Sequence, residues 1–268
     1  MTDTQTDSGT LQAWHPLLQA DCLRRRLAKV RTEGNIPGFG HIEAPIIEAF
    51  SIAVTVGGVE AVSARIDSKD APSHTLILGH GAGAGMNHAH MQNICDALNS
   101  QGIAVLRFQF PYMELGKNRT DRPEVCTTVI TDVVSAALAR TSSPLLLGGH
   151  SFGGRMASHA LAEQYLDVVR GLVLFSFPLH MPGKPAIKRA AHLPAINQPM
   201  LFLSGSRDKM AEEEQLCEAL AFVKGATVHR LFTADHGFKI LKRTRTDSED
   251  VYTESARLIR EWLERERL

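Results

Sequence analysis

The sequence predicts an α/β protein built on one eight-stranded, mostly parallel sheet, with helices on both faces and no separate cap domain. Three observations predict it. Short apolar runs alternate with stretches of helical period across residues 75–231, as in a parallel sheet whose crossovers are helices. Ahead of them, Gly57-Gly58 sits between two alternating runs and marks a tight hairpin. No repeat or long linker interrupts residues 46–268, and the 24 residues between Phe175 and Met200 are too few for a cap.

The elements follow in order. Residues 1–45 read as an N-terminal arm, polar through Thr10. A helix is expected over 16–31, where Pro16 suits a first helical position and Leu23, Leu27 and Val30 share a face. Gly34, Pro37, Gly38 and Gly40 end it. The hairpin strands are 50–56 and 59–66, and the parallel strands are 75–78, 104–108, 145–147, 172–175, 200–203 and 227–231. Helices are expected at 87–100, 124–140, 153–164, 211–223 and 249–264, the last with Val251, Leu258, Ile259 and Trp262 on one face.

Composition narrows the function. With 268 residues, 44% hydrophobic and 22% charged, the chain is an ordinary globular one. Folding buries about three quarters of the unfolded surface at this length, so no disulfide or metal is needed to stabilise a core. Lys plus Arg and Asp plus Glu are both 29, which leaves no basic footprint for nucleic acid. No apolar run approaches the ~18 residues of a membrane span. Cys22, Cys95, Cys126 and Cys217 are scattered, so they read as core thiols in a reducing compartment. The first residues lack the basic-then-apolar order of a signal peptide. A cytoplasmic address is the expectation, and the Asn118-Arg119-Thr120 sequon is then chance.

The chemistry concentrates around Ser151. Gly149-His150-Ser151-Phe152-Gly153 matches G-x-S-x-G, with an apolar strand running in and a helical pattern running out. That setting is a nucleophile elbow, a sharp strand-to-helix turn that exposes the hydroxyl. The competing reading is a glycine-rich turn with an idle serine. Serine needs a base, and this motif predicts acid then histidine further along the chain. Asp208 in Gly205-Ser206-Arg207-Asp208 and His236 in Ala234-Asp235-His236-Gly237 both follow strands. His236 would take the serine proton and Asp208 would hold its tautomer. Activity should then rise with pH as His236 loses its proton. Against this, Asp208 could simply cap a helix, His236 could be a solvated loop residue, and Asp235 competes for the acid role. The backbone N–H of Phe152 is one oxyanion donor. The other is the N–H of Ala82, or of Gly81 or Gly83 in another register, in the loop His80-Gly81-Ala82-Gly83-Ala84-Gly85.

Other readings are weaker. A dinucleotide site needs glycine at 84 or 86, where Ala84 and Met86 stand. His88 and His90 are spaced i and i+2, which do not share a helical face, and no carboxylate cluster joins them, so no metal or other cofactor is expected. His88 reads as a polar residue at a helix start, His150 as pointing away from the site, and Arg155 as a structural bonder. His180 and His192 fall in the segment before the seventh strand, which can wall a pocket.

His80-Gly-Ala-Gly-Ala, Phe108-Gln-Phe-Pro-Tyr-Met113, Gly149-His-Ser-Phe-Gly-Gly-Arg155, the segment from Phe177 to Pro185 and Gly205-Ser-Arg-Asp208 together carry a resemblance. From about Phe50 to Leu268 the chain resembles serine α/β-hydrolases, in a small capless group related to dienelactone hydrolases. It is also similar to the hydrolase-like domain of a chromatin protein, the third subunit of the non-specific-lethal histone acetyltransferase complex. The resemblance implies the α/β-hydrolase fold and an esterase-like triad of Ser151, Asp208 and His236. Dienelactone hydrolases carry cysteine at the nucleophile position, whereas this chain has Ser151, so their substrate is not carried over. The expected activity is hydrolysis of a small-molecule carboxylic ester or thioester through an acyl-enzyme. The alternative is an interaction module with an idle site. Acyl preference and oligomeric state are not readable from the sequence.

Overall fold

In a computed structural model the described residues are 45–164, 166–245 and 249–268. The expected arm and its helix over 16–31 lie outside them. Strand β1 (Ile46–Ala53) pairs antiparallel with β2 (Ala61–Ser68), from Ile46 opposite Ser68 to Ala53 opposite Ala61. The hairpin differs from the two-residue turn expected at Gly57-Gly58. Residues 54–60 form a longer loop, closed by Val54 N–H donating to Glu60 O at 3.0 Å. Both glycines do have positive φ, but Gly57 is used for a close approach as well. A Cβ there would stand 2.5 Å from Cβ of Pro111, so the loop folds down onto Pro111 instead of turning tightly.

The remaining strands are β3 (His74–Gly79), β4 (Ile103–Phe108), β5 (Leu145–His150), β6 (Val169–Phe175), β7 (Met200–Gly205) and β8 (Ala226–Leu231). Their order is β1-β2-β4-β3-β5-β6-β7-β8. β2 runs antiparallel to β4, and every neighbouring pair from β4 to β8 is parallel. This is the predicted eight-stranded sheet, with no separate cap domain among the described residues. β3, β4 and β7 are buried along their whole length. Strands covered on both faces read as continuous apolar runs without alternation, as theirs do.

Helices α1 (Ala89–Ser100) and α6 (Val251–Glu266) bury their apolar sides on one face of the sheet, around Leu76, Leu78, Val105 and Val173. Asp250 caps α6 by accepting from the N–H groups of Tyr252 and Thr253. Helices α3 (Pro123–Leu138) and α4 (Phe152–Glu163) cover the other face, around Ile77, Leu106, Leu147 and Leu172. A short helix α2 (Pro111–Glu114), unforeseen in the sequence, starts on Pro111 at a position proline favours. Helix α5 (Glu213–Leu220) is shorter than its expected span because Ala211 is held in the Asp208 turn, donating to Asp208 O at 3.4 Å.

The start of α4 lies almost on the backbone of β3 and β5. A Cβ on Gly153 would fall 2.3 Å from Gly79 O, and one on Gly149 would fall 2.5 Å from Gly153 C. No side chain fits there. Gly153→Ala should therefore lower stability by about 3 kcal/mol or more, since backbone cannot yield as a flexible side chain does. Gly83→Ala is the control, because its Cβ would meet nothing within 4 Å. Urea unfolding of both variants checks this, and equal midpoints would refute the packing argument.

Candidate active site

Ser151 sits between β5 and α4 with φ 52° and ψ −111°. A non-glycine residue adopts this backbone only where the surroundings hold it. Here Ser151 N–H donates to Phe175 O at 2.8 Å and Arg155 N–H donates to Ser151 O at 3.0 Å. The turn is thus tied to β6 ahead of it and to the helix behind it.

His236 accepts from the Ser151 hydroxyl at Nε2 and donates from Nδ1 to Asp208 Oδ2, both at 2.8 Å. Asp208 is 1% exposed, and its Oδ1 accepts Met210 N–H at 2.8 Å. Both carboxylate oxygens therefore have donors. The loops carrying Asp208 and His236 are laced together. Arg207 N–H reaches Ala234 O at 2.9 Å and Ser206 Oγ accepts Thr233 N–H at 2.9 Å. Gly205 packs so tightly on this strap that a Cβ would fall 2.3 Å from Ala234 O. Asp235, the competing acid, is engaged elsewhere: its Oδ1 accepts the N–H groups of Gly237 and Lys239.

The glycine loop after β3 lines the same cavity as Ser151 and His236, of about 360 Å³. Its peptide planes are set from behind. Phe110 N–H donates to Nε2 of buried His80 at 3.0 Å, so the proton of that ring is on Nδ1, which donates to Gly81 O at 2.8 Å. Tyr112 Oη donates to Ala82 O at 3.0 Å. In a trans peptide the N–H opposes the C=O. Holding the carbonyl of Gly81 towards His80 therefore turns Ala82 N–H the opposite way. Neither Ala82 N–H nor Phe152 N–H has a protein acceptor among the described residues. Gln109 Oε1 accepts Met86 N–H, and buried Arg107, paired with Asp67 at 2.8 Å, donates to Met86 O. These contacts fix the far end of the loop.

Four side chains of this apparatus escaped the sequence reading. Tyr112 and Gln109 lie in the run from Phe108 to Met113, but nothing in spacing says that a residue after β4 reaches the loop after β3. In the sequence His80 is marked only by its place after a strand. His150 is a correction. Its Nε2 donates to His236 O at 2.9 Å and its ring lies 5.5 Å from that of His236, so it faces the site and holds the His236 backbone. His88 and His90 also both line the cavity despite their i, i+2 spacing. His88 is the N-cap of α1, outside the helix, and its Nδ1 accepts from His90 N–H. Among the described residues no three His, Cys, Asp or Glu side chains converge to hold a metal ion. Arg155 is a second correction. Its side chain bonds to nothing among the described residues; the segment carrying His180 and His192 packs beside it, around a separate cavity.

Burial keeps the supporting imidazoles neutral. It lowers His80 and His150 to about 4, and His90 to about 3 with the neighbouring histidines adding to the effect. No fixed positive charge thus stands beside His236 from these rings.

An eight-stranded sheet with a strained serine at a strand-to-helix turn defines the class. The alpha/beta hydrolase domain family matches residues 72–264, and the chain belongs to the alpha/beta hydrolase family. Its fold is similar to that of a dienelactone hydrolase from Anabaena variabilis, with a TM-score of 0.66 at 17% identity, over 83% of this chain and 99% of that one. It is also similar to a serine hydrolase without a lid from Xanthomonas campestris, with a TM-score of 0.62 at 18% identity, over 86% and 97%. Est1E from Butyrivibrio proteoclasticus gives 0.61 at 15% identity, over 81% and 99%.

The neutral histidines imply a pH-dependent stability. Unfolded, each titrates near 6.5; folded, His80 and His150 titrate near 4. Between those values the unfolded chain binds more protons, so stability is complete above about 6.5, falls as the pH drops, and levels off below about 4. From pH 7.5 to 5 the loss should be roughly 2 kcal/mol for each of the two. Urea midpoints across that range test this, and a constant midpoint would show that these rings are not held neutral.

Proposed function

We propose that the protein is a serine hydrolase that cleaves a carboxylic ester or thioester through an acyl-enzyme intermediate. The observation that carries this reading is the unbroken hydrogen-bonded chain from Ser151 through His236 to Asp208. In this reading Ser151 Oγ attacks the substrate carbonyl carbon while its proton passes to His236 Nε2. Asp208 holds the imidazole in the tautomer that accepts the proton and stabilises the imidazolium. The carbonyl oxygen takes the negative charge and is held by the N–H groups of Phe152 and Ala82. Collapse expels the alcohol or thiol, which leaves with the proton from His236. Water then attacks the acyl-enzyme, again giving a proton to His236, and the carboxylic acid departs as the proton returns to Ser151.

The proposal includes a cytoplasmic setting, a domain spanning residues 46–268 preceded by an arm, and affinity with the hydrolase-like domain of the chromatin subunit named above. Motif resemblance and composition support these points. Among the described residues no helix is long and apolar enough to cross a membrane.

A fluorophosphonate probe followed by peptide mass spectrometry is the test. The adduct should form on Ser151 of the folded protein and be absent after heat denaturation. Ser151→Ala should lower kcat on an ester substrate by on the order of 10⁶. Wild-type turnover in that variant, or no adduct on folded protein, would sink the proposal and favour an interaction module with an idle site.

A further inference from the structure

A second cavity, of about 520 Å³, lies against α4 and the segment between β6 and β7. Four cations line it: Arg155, Lys184, Lys188 and Arg189. Its remaining lining residues include no acid, and among the described residues none of the four cations pairs with a carboxylate. The nearby Glu163 is occupied by His159, 2.8 Å away. Exposed lysines alone would mean little, since charged surface is normal. Arg155 is different. It is half-buried, with no hydrogen-bond acceptor for its guanidinium among the described residues, and both burial and the charge of Arg189 disfavour its protonated form. A guanidinium stays charged regardless, so the fold keeps a half-buried cation without a carboxylate partner beside a second one.

A second observation points to a missing ligand. His180, 3% exposed, lines the cavity and donates from Nδ1 to Met181 O at 2.9 Å. Its Nε2 is buried without a partner. Buried polar atoms are normally satisfied, so such an orphan calls for an explanation. With its proton on Nδ1, Nε2 can only accept, so a ligand hydroxyl such as the P–OH of a phosphate would provide one.

The cavity adjoins the site of Ser151. Arg155 lies in the first turn of α4, and its backbone N–H is bonded to Ser151 O. Met210 links the linings of the two cavities. Leu179 and His180 both donate their N–H groups to Met210 O at 2.8 and 3.3 Å, and Met210 lines the cavity of Ser151. The volume exceeds that of a bare ion and suits an organic group.

We propose that this basic cavity binds a carboxylate or phosphate carried by the substrate, so that the ester cleaved at Ser151 has an anionic end. The proposal rests on the serine-hydrolase reading for its kinetic part only. Guanidinium groups bind both oxyanions through paired N–H donors, and Lys184 and Lys188 add charge at the rim.

Two arms test it on the full chain. In the first, Ser151→Ala is titrated with phenyl phosphate and with inorganic phosphate by calorimetry. Phenyl phosphate should bind, and adding Arg155→Gln should weaken it by about tenfold or more. In the second, kcat/KM is compared for 4-nitrophenyl hemisuccinate and 4-nitrophenyl butyrate. The anionic ester should be preferred by about tenfold, and Arg155→Gln should erase the preference. Should Arg155→Gln fail to fold, Lys188→Gln combined with Arg189→Gln, on the surface turn, replaces it in both arms. Binding of inorganic phosphate with no ester preference would overturn the substrate-borne assignment and leave a site for a free oxyanion. Silence in both arms overturns the site altogether. If Ser151 proves unreactive to the fluorophosphonate, the first arm still decides whether the cavity takes anions.

Discussion

The closeness of α4 to β3 and β5 is the constraint on which the rest of the site depends. Gly149 and Gly153 let backbone meet backbone where any Cβ would collide, and a Cβ on Gly79 would stand 3.1 Å from Gly153 Cα. That approach makes the turn at Ser151 too short for ordinary dihedrals, so the serine is left at φ 52°. The strain is held by the hydrogen bond to Phe175 O on one side and by the packed helix on the other. The hydroxyl is consequently presented at the carboxyl edge of the sheet by the geometry of the turn itself. The same compression places Phe152 N–H at the first position of α4, where a helix leaves its N–H groups without intrahelical partners.

Behind this edge the structure uses buried polar groups to aim backbone. Arg107 with Asp67, Gln109, His80 and Tyr112 all act on the loop after β3. His150 acts on the loop after β8. Each is neutralised by pairing or kept neutral by burial, so the loops are oriented without adding charge beside Ser151. The positive charge lies instead in the second cavity, around Arg155.

Much of this was legible in the chain. The strand count, the mainly parallel character of the sheet and the positions of Ser151, Asp208 and His236 on turns after strands followed from apolar runs, glycines and loop positions, because those signals are local; the exchange of β3 and β4 in the strand order did not. What stayed hidden depends on distance in space. The Gly57-Gly58 turn reads as a tight hairpin until Pro111, 54 residues away by subtraction, is seen beneath it. His150 reads as turned away until the loop of His236 folds over it. Arg155 reads as a structural bonder because buried guanidiniums usually find acceptors, and only the packed surroundings reveal that this one has none. Helix ends moved by a few residues where a turn, such as that of Asp208, competed for the same backbone.

The groups around Ser151 come from four connections, after β3, β5, β7 and β8, so they span most of the width of the sheet. Neighbouring strands are about 4.8 Å apart, and three strand spacings separate the base of Ser151 from that of His236. β8 is the outermost of these strands, and most of its residues are half-exposed. An edge of that kind opens more readily than the core. The base is thus carried beyond the least covered of these strands, and the contact between His236 and Ser151 depends on the pairing of β8 with β7 from Met200 opposite Ala226 to Gly205 opposite Leu231.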